Sequence, residues 1–175
     1  MTTTLSYNST FTYEGHTFDV LNPQVNTYTL EDIATGLSNR CRFGGQIKPF
    51  FSVAQHCIEL SWLEPPTDLF DTFDYIRLYA LLHDAEEAYL PDFPSPWKEL
   101  VDIGPVSACA LGDSHRHEIL LQLGIDQPTV ETKQWIKTKE KERLQEERSR
   151  KAAWSPNEAK TLFLQRYDIL YNRWV

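Results

Sequence analysis

His83 and Asp84 stand side by side inside an apolar stretch, Ala80-Leu81-Leu82-His83-Asp84-Ala85. A carboxylate in such a setting costs free energy unless something compensates it. Neutral imidazole and carboxylate are ligands of divalent metals, so a bound metal is an economical compensation. A second histidine, His56, falls at helical spacing with Val53 and Leu60, on the apolar stripe of its own segment. His56, His83 and Asp84 are therefore candidate ligands from two neighbouring helices. The competing reading makes His56 a hydrogen-bonded core histidine and Asp84 a surface residue. A His-Asp pair joined by a second inward histidine favours the metal. Adjacent helical residues point about 100° apart, so His83 and Asp84 can share an ion only at a helix edge, between facing helices.

The elements that must carry these residues are legible in part. Phe11-Thr12-Tyr13 and His16-Thr17-Phe18 flank Glu14-Gly15 and predict a short hairpin. Thr29, with Asp32 three residues on, predicts a helix start running to about Leu37. An irregular loop, Arg40 to Gly45, follows. Ser52-Val53-Ala54-Gln55 predicts a capping box, with His56 just past the first turn and Pro65-Pro66 beyond the end. The next helix is expected from near Asp71–Asp74 to before Pro91, with Ala80, His83, Asp84 and Glu87 on one face. Ser95-Pro96 marks another start. Further helices are expected over about 106–123, 129–151 and 156–173, the last opened by the capping box Ser155 to Glu158. The expected fold is all-α, a helical domain with a small N-terminal β-hairpin, in one domain spanning 1–175.

Composition bounds the function. The 175 residues carry a net charge of −8 with 41% hydrophobic content. That is globular, and it argues against a nucleic-acid polymer as partner, which needs a basic face. A small nucleotide remains compatible. Cys41, Cys57 and Cys109 are scattered, form no CxxC pair, and read as reduced thiols without a nucleophilic role. Met1-Thr2-Thr3-Thr4 has neither a basic nor an apolar run, so no signal peptide is expected, and no window reaches membrane-spanning length. His115 and His117, two apart on an expected helix, cannot face one site together and read as surface or core.

Three stretches carry a resemblance: Cys41-Arg42-Phe43-Gly44-Gly45, Phe50-Phe51-Ser52-Val53-Ala54-Gln55-His56, and Leu81 through Lys98. They are similar to those of the HD-domain metal-dependent phosphohydrolases, above all small bacterial and phage members, over roughly residues 29–150. The resemblance implies an HD-domain helical bundle and a metal shell of the form His…His-Asp…Asp. His56, His83 and Asp84 match its first three positions. In Ile136-Lys137-Thr138-Lys139-Glu140 the fourth position holds Glu140 where the family carries Asp. Glu142 is the candidate in another register, and a solvated residue in a charge-rich helix is the alternative for Glu140.

The resemblance also implies that Glu87, three residues after Asp84, works with Asp84 in catalysis by orienting or deprotonating water or protonating the leaving oxygen. Glu86 is expected to point elsewhere, to the surface. Asp92 matches a polar position near the sugar, a turn residue being the alternative. Arg42 matches a phosphate-binding position, its guanidinium fork suiting phosphate oxygens and Gly44-Gly45 allowing close backbone approach; an incidental surface turn is the alternative. Lys98 adds a cation after the HD stretch. Phe43, Phe51, Pro96 and Trp97 are candidates to flank a nucleobase, or else core.

The activity so implied is metal-dependent hydrolysis of small deoxynucleotides, a dNMP or a dNTP such as dATP, by an activated water. One divalent ion is expected, and the ligand types do not choose among Mn, Co, Zn, Fe, Ni and Mg. The alternative is a catalytically weakened HD protein that binds nucleotides as a sensor or partner, on the ground of Glu140 in place of Asp. A purely structural helical module would need the resemblance to be accidental. Relatives imply a homo-oligomer, with Trp135, Trp154 and Trp174 candidates for contact or core, in the cytoplasm of a bacterium or phage-infected host.

Overall fold

The computed structural model describes residues 9–90, 102–103 and 106–175. Six α-helices dominate these residues: α1 (Leu30–Asn39), α2 (Val53–Ser61), α3 (Phe73–Leu82), α4 (Ala108–Gln122), α5 (Val130–Arg148) and α6 (Pro156–Trp174). The N-terminal hairpin pairs β1 (Ser9–Phe11) with β2 (Thr17–Asp19), Thr10 opposite Phe18. Its turn passes through Gly15 at φ +86°, a left-handed conformation that suits glycine. A second, two-residue pairing joins β3 (Asp102–Ile103) to β4 (Val106–Ser107) just before α4. The fold is all-α with a small N-terminal β-hairpin, as the sequence pattern implied. No helix among the described residues is long and apolar enough to cross a membrane.

Each helix starts where a hydroxyl can accept from the third residue on. Thr29, Ser52, Thr72, Ser107, Thr129 and Ser155 each take the amide of that residue, satisfying a donor that the helix leaves orphaned. At Ser155 the box closes in both directions with Glu158. At Ser52 it does not: Gln55 donates its side-chain amide to Glu59 Oε1 at 2.8 Å and accepts from the Trp154 amide at 2.9 Å. The expected capping box is thus a simple cap, and Gln55 instead ties α2 to the chain entering α6.

The core lies between α1, α2, α3 and α6. Ile33, Leu37, Val53, Leu60, Leu78, Leu81, Phe163 and Leu170 are all fully buried there. Trp135, Trp154 and Trp174 pack partly buried against this core. The segment after α3 is held by close backbone approach. Gly36 of α1 lies under Ala88, and a Cβ at position 36 would stand 2.6 Å from the Ala88 carbonyl oxygen. Arg40 Nε donates to the Glu87 carbonyl at 3.0 Å. These contacts fix the short 3-10 turn Ala85–Ala88 against α1.

Candidate metal centre

The expectation of one continuous helix through His83, Asp84 and Glu87 is overturned. α3 ends at Leu82, His83 is its C-cap, and Asp84 sits at φ −111°, ψ 22° before the chain re-enters a tighter turn. The break precedes the turn docked on Gly36. It removes the 100° divergence of adjacent helical residues, so that His83 and Asp84 face the same point.

At that point four groups converge. His83 Nε2 lies 3.2 Å from Asp84 Oδ2, 3.4 Å from Glu140 Oε1 and 3.4 Å from His56 Nε2. His56 Nε2 lies 3.6 Å from Glu140 Oε1 and 3.9 Å from Asp84 Oδ2. Ligand atoms held about 2.0–2.2 Å from a common ion stand about 3 to 3.5 Å apart, so the spacing fits one ion. His56, His83, Asp84 and Glu140 together can hold a metal ion.

The tautomers support the same conclusion. His56 Nδ1 meets Glu147 Oε1 at 2.6 Å, and His83 Nδ1 meets the Ala80 carbonyl at 2.7 Å. A carboxylate and a carbonyl only accept, so both Nδ1 atoms carry the hydrogen. Both Nε2 atoms are turned toward each other and toward two carboxylates, an arrangement that calls for a cation, a metal ion or, without one, a proton on an imidazole. Burial disfavours a charged His83, but Asp84 and Glu140 outweigh it and hold its pKa well above the ordinary value. Burial likewise opposes ionised Asp84 and Glu140, and the imidazoles overcome it and hold both carboxyls low.

Glu140 is thus inside the cluster. The other register fails: Glu142 is exposed and bonded to Lys139 Nζ at 2.7 Å. α5 is set in place by its own face, with Arg143 bonded to Glu59 at 2.8 Å and Glu147 to His56. Glu147 is fully buried and also receives Arg42 Nε at 3.2 Å. Its role behind His56 was not assigned from sequence, although it shares a helical face with Glu140 at seven-residue spacing. Arg42 Nη1 lies 3.8 Å from Asp84 Oδ2, so its guanidinium spans from Glu147 to the edge of the cluster.

A cavity of about 730 Å³ opens beside His83, Asp84 and Glu140. Glu87 lines it, as its offset from Asp84 implied. So does Glu86, contrary to the surface position expected: it is 7% exposed, because the turn after Asp84 has a tighter period than an α-helix. Burial pushes its pKa up to about 7 against the opposing pull of Arg116. Arg116, Lys133 and Lys137 also line it and were not singled out from sequence; His117, read from sequence as surface or core, is exposed and lines it as well. Lys133, Ile136, Lys137 and Glu140 repeat at i, i+3, i+4, i+7, a signal that was available; Arg116 carried none.

Arg42 and Phe43 are not among the described residues that line this cavity. Phe43, at φ 56°, lies between the guanidiniums of Arg42 and Arg148, 5.5 and 5.4 Å from its ring centroid. Phe51 is buried under Arg150. Asp92, Pro96, Trp97 and Lys98 lie outside the described residues. His115 is a core histidine, bonded to Tyr28 Oη at 2.6 Å and the Val20 carbonyl at 2.8 Å.

No family model matches the chain. Over 97 residues it is 39% identical to the uncharacterized protein YfdR of Escherichia coli (strain K12), a match covering 55% of this chain and 49% of that protein. The aligned segment therefore spans about half the length of this curated relative.

Proposed function

We propose that the protein is a metal-dependent phosphohydrolase of the HD type that acts on small deoxynucleotides, a dNMP or a dNTP such as dATP, with one divalent ion held by His56, His83, Asp84 and Glu140. The observation that carries this reading is the convergence of two Nε2 lone pairs and two carboxylates beside a cavity that also presents cations to an anion. A divalent ion there supplies Lewis acidity toward a phosphoryl oxygen and lowers the pKa of water.

The chain's own groups do the rest. Lys133 and Lys137 attract and orient the phosphate. Glu87 lies three residues beyond Asp84 on the same cavity and is placed to hold or move a proton. Glu147 and Arg42 position His56 and Asp84. The alternative, a weakened nucleotide sensor, rests on Glu140 in place of Asp; the reach of Glu140 to both imidazoles supports the hydrolase reading over it.

The test is release of phosphate, pyrophosphate and triphosphate from all deoxynucleoside mono-, di- and triphosphates with Mn, Co, Zn, Fe, Ni and Mg, beside His83→Ala. Metal-dependent turnover lost in the variant is expected. Nucleotide binding without turnover in any metal overturns the hydrolase.

A further inference from the structure

The cavity is electrically lopsided. Beyond Glu140 of the metal cluster, α5 borders it with Lys133 and Lys137, whereas α4 and the turn after Asp84 contribute Asp113, Glu86 and Glu87 beside Arg116 and His117. Arg116 is committed on that acidic side: Nη1 donates to the His83 carbonyl at 2.8 Å, and Nη2 lies 3.4 Å from Glu86 Oε1. The Glu86 side chain is 9% exposed, and its Oε2 has no hydrogen-bond partner among the described residues. Gly112 sets bare backbone beside it, a Cβ there standing 3.7 Å from Glu86 Cγ. A buried carboxylate oxygen without a partner is costly, and a bound donor removes that cost. A phosphate is repelled from this side and drawn to the lysines.

We propose that Glu86 is a specificity-determining residue: its Oε2 accepts a neutral O–H or N–H donor from the nucleoside half of the substrate, while the phosphate lies toward Lys133 and Lys137. This rests on the phosphohydrolase reading for the phosphate but not for the nucleoside. The donor is a sugar hydroxyl or a base amine.

The experiment measures binding of deoxyadenosine, which has no phosphate, to the Mn-loaded protein by calorimetry, and in parallel kcat/KM for dAMP, dATP and p-nitrophenyl phosphate. Wild type is compared with Glu86→Ala and Glu86→Gln, each checked by thermal melting. In Glu86→Ala, deoxyadenosine affinity and kcat/KM for the nucleotides are expected to fall about tenfold, with p-nitrophenyl phosphate changed less than twofold. 2′,3′-Dideoxyadenosine and purine deoxyriboside identify the donor, since the analogue lacking it is insensitive to the substitution. Should Glu86→Ala fail to fold, Glu86→Gln, which exchanges an acceptor for a donor, is expected to show the same selective loss. Equal loss on p-nitrophenyl phosphate, or no loss on deoxyadenosine, overturns the role of Glu86. Selective loss of deoxyadenosine binding without turnover of any phosphate overturns the hydrolase alone.

Discussion

Among the described residues two clusters have the residue types and spacing of a metal site: His56, His83, Asp84 and Glu140 at the cavity, and Glu14, His16 and Asp32 at the hairpin. Their hydrogen bonds separate them. At the hairpin, Asp32 Oδ1 accepts the Glu14 amide at 2.8 Å and Oδ2 faces His16 Nδ1 at 3.4 Å, while Glu14 receives the Thr29 hydroxyl. Those carboxylates are occupied in clamping the hairpin to the start of α1. At the cavity the imidazoles bond to groups outside the cluster through their outer atoms, the two Nδ1, and the inner atoms of all four residues face one another. Composition alone does not make a metal centre; the direction of the lone pairs does.

The largest expected effect is that of the ion. Metal analysis of protein equilibrated with Mn or Zn is expected to find one ion per chain, and a saturating ion at about 100-fold its Kd adds about 2.7 kcal/mol to stability. His83→Gln is expected to lose both the ion and the stabilisation, and Asp32→Asn to keep both. An ion lost with Asp32→Asn breaks the comparison.

Gly36→Ala comes next. The clash with Ala88 is expected to cost about 1–3 kcal/mol and, by shifting the turn, to weaken metal binding; urea melts with and without chelator read both. Glu147→Ala removes the acceptor that orients His56, and metal affinity is expected to fall about 10- to 100-fold in titrations against a competing chelator. Unchanged affinity would show that the packing of His56 alone sets its lone pair.

The smallest effect belongs to the hairpin end. Burial lowers the His115 pKa. Its contribution to stability is thus full above the unfolded imidazole value of about 6.5 and is lost as pH falls below that toward the folded value. The urea midpoint is expected to fall between pH 7.5 and pH 5 more in wild type than in His115→Gln. A chelator in both samples isolates this from the metal centre.

The sequence alone determined the local features: the hairpin about Gly15, the hydroxyl caps at Thr29 and Ser52, the inward His56 and the His-Asp pair. These rest on periods of two and 3.6 residues and on neighbours within four positions. It named Glu140 only through a resemblance, with Glu142 as the candidate in another register. The choice between them, the break of α3 before Asp84, the burial of Glu86 and the place of Glu147 behind His56 were decided only by tertiary structure. Each depends on groups far apart in the chain, such as the 91 residues between His56 and Glu147 or the backbone of Ala88 pressed on Gly36. A helical pattern states which face a residue occupies; only the packing of α1, α2 and α5 around the turn states where the helix stops and which carboxylate meets the imidazoles.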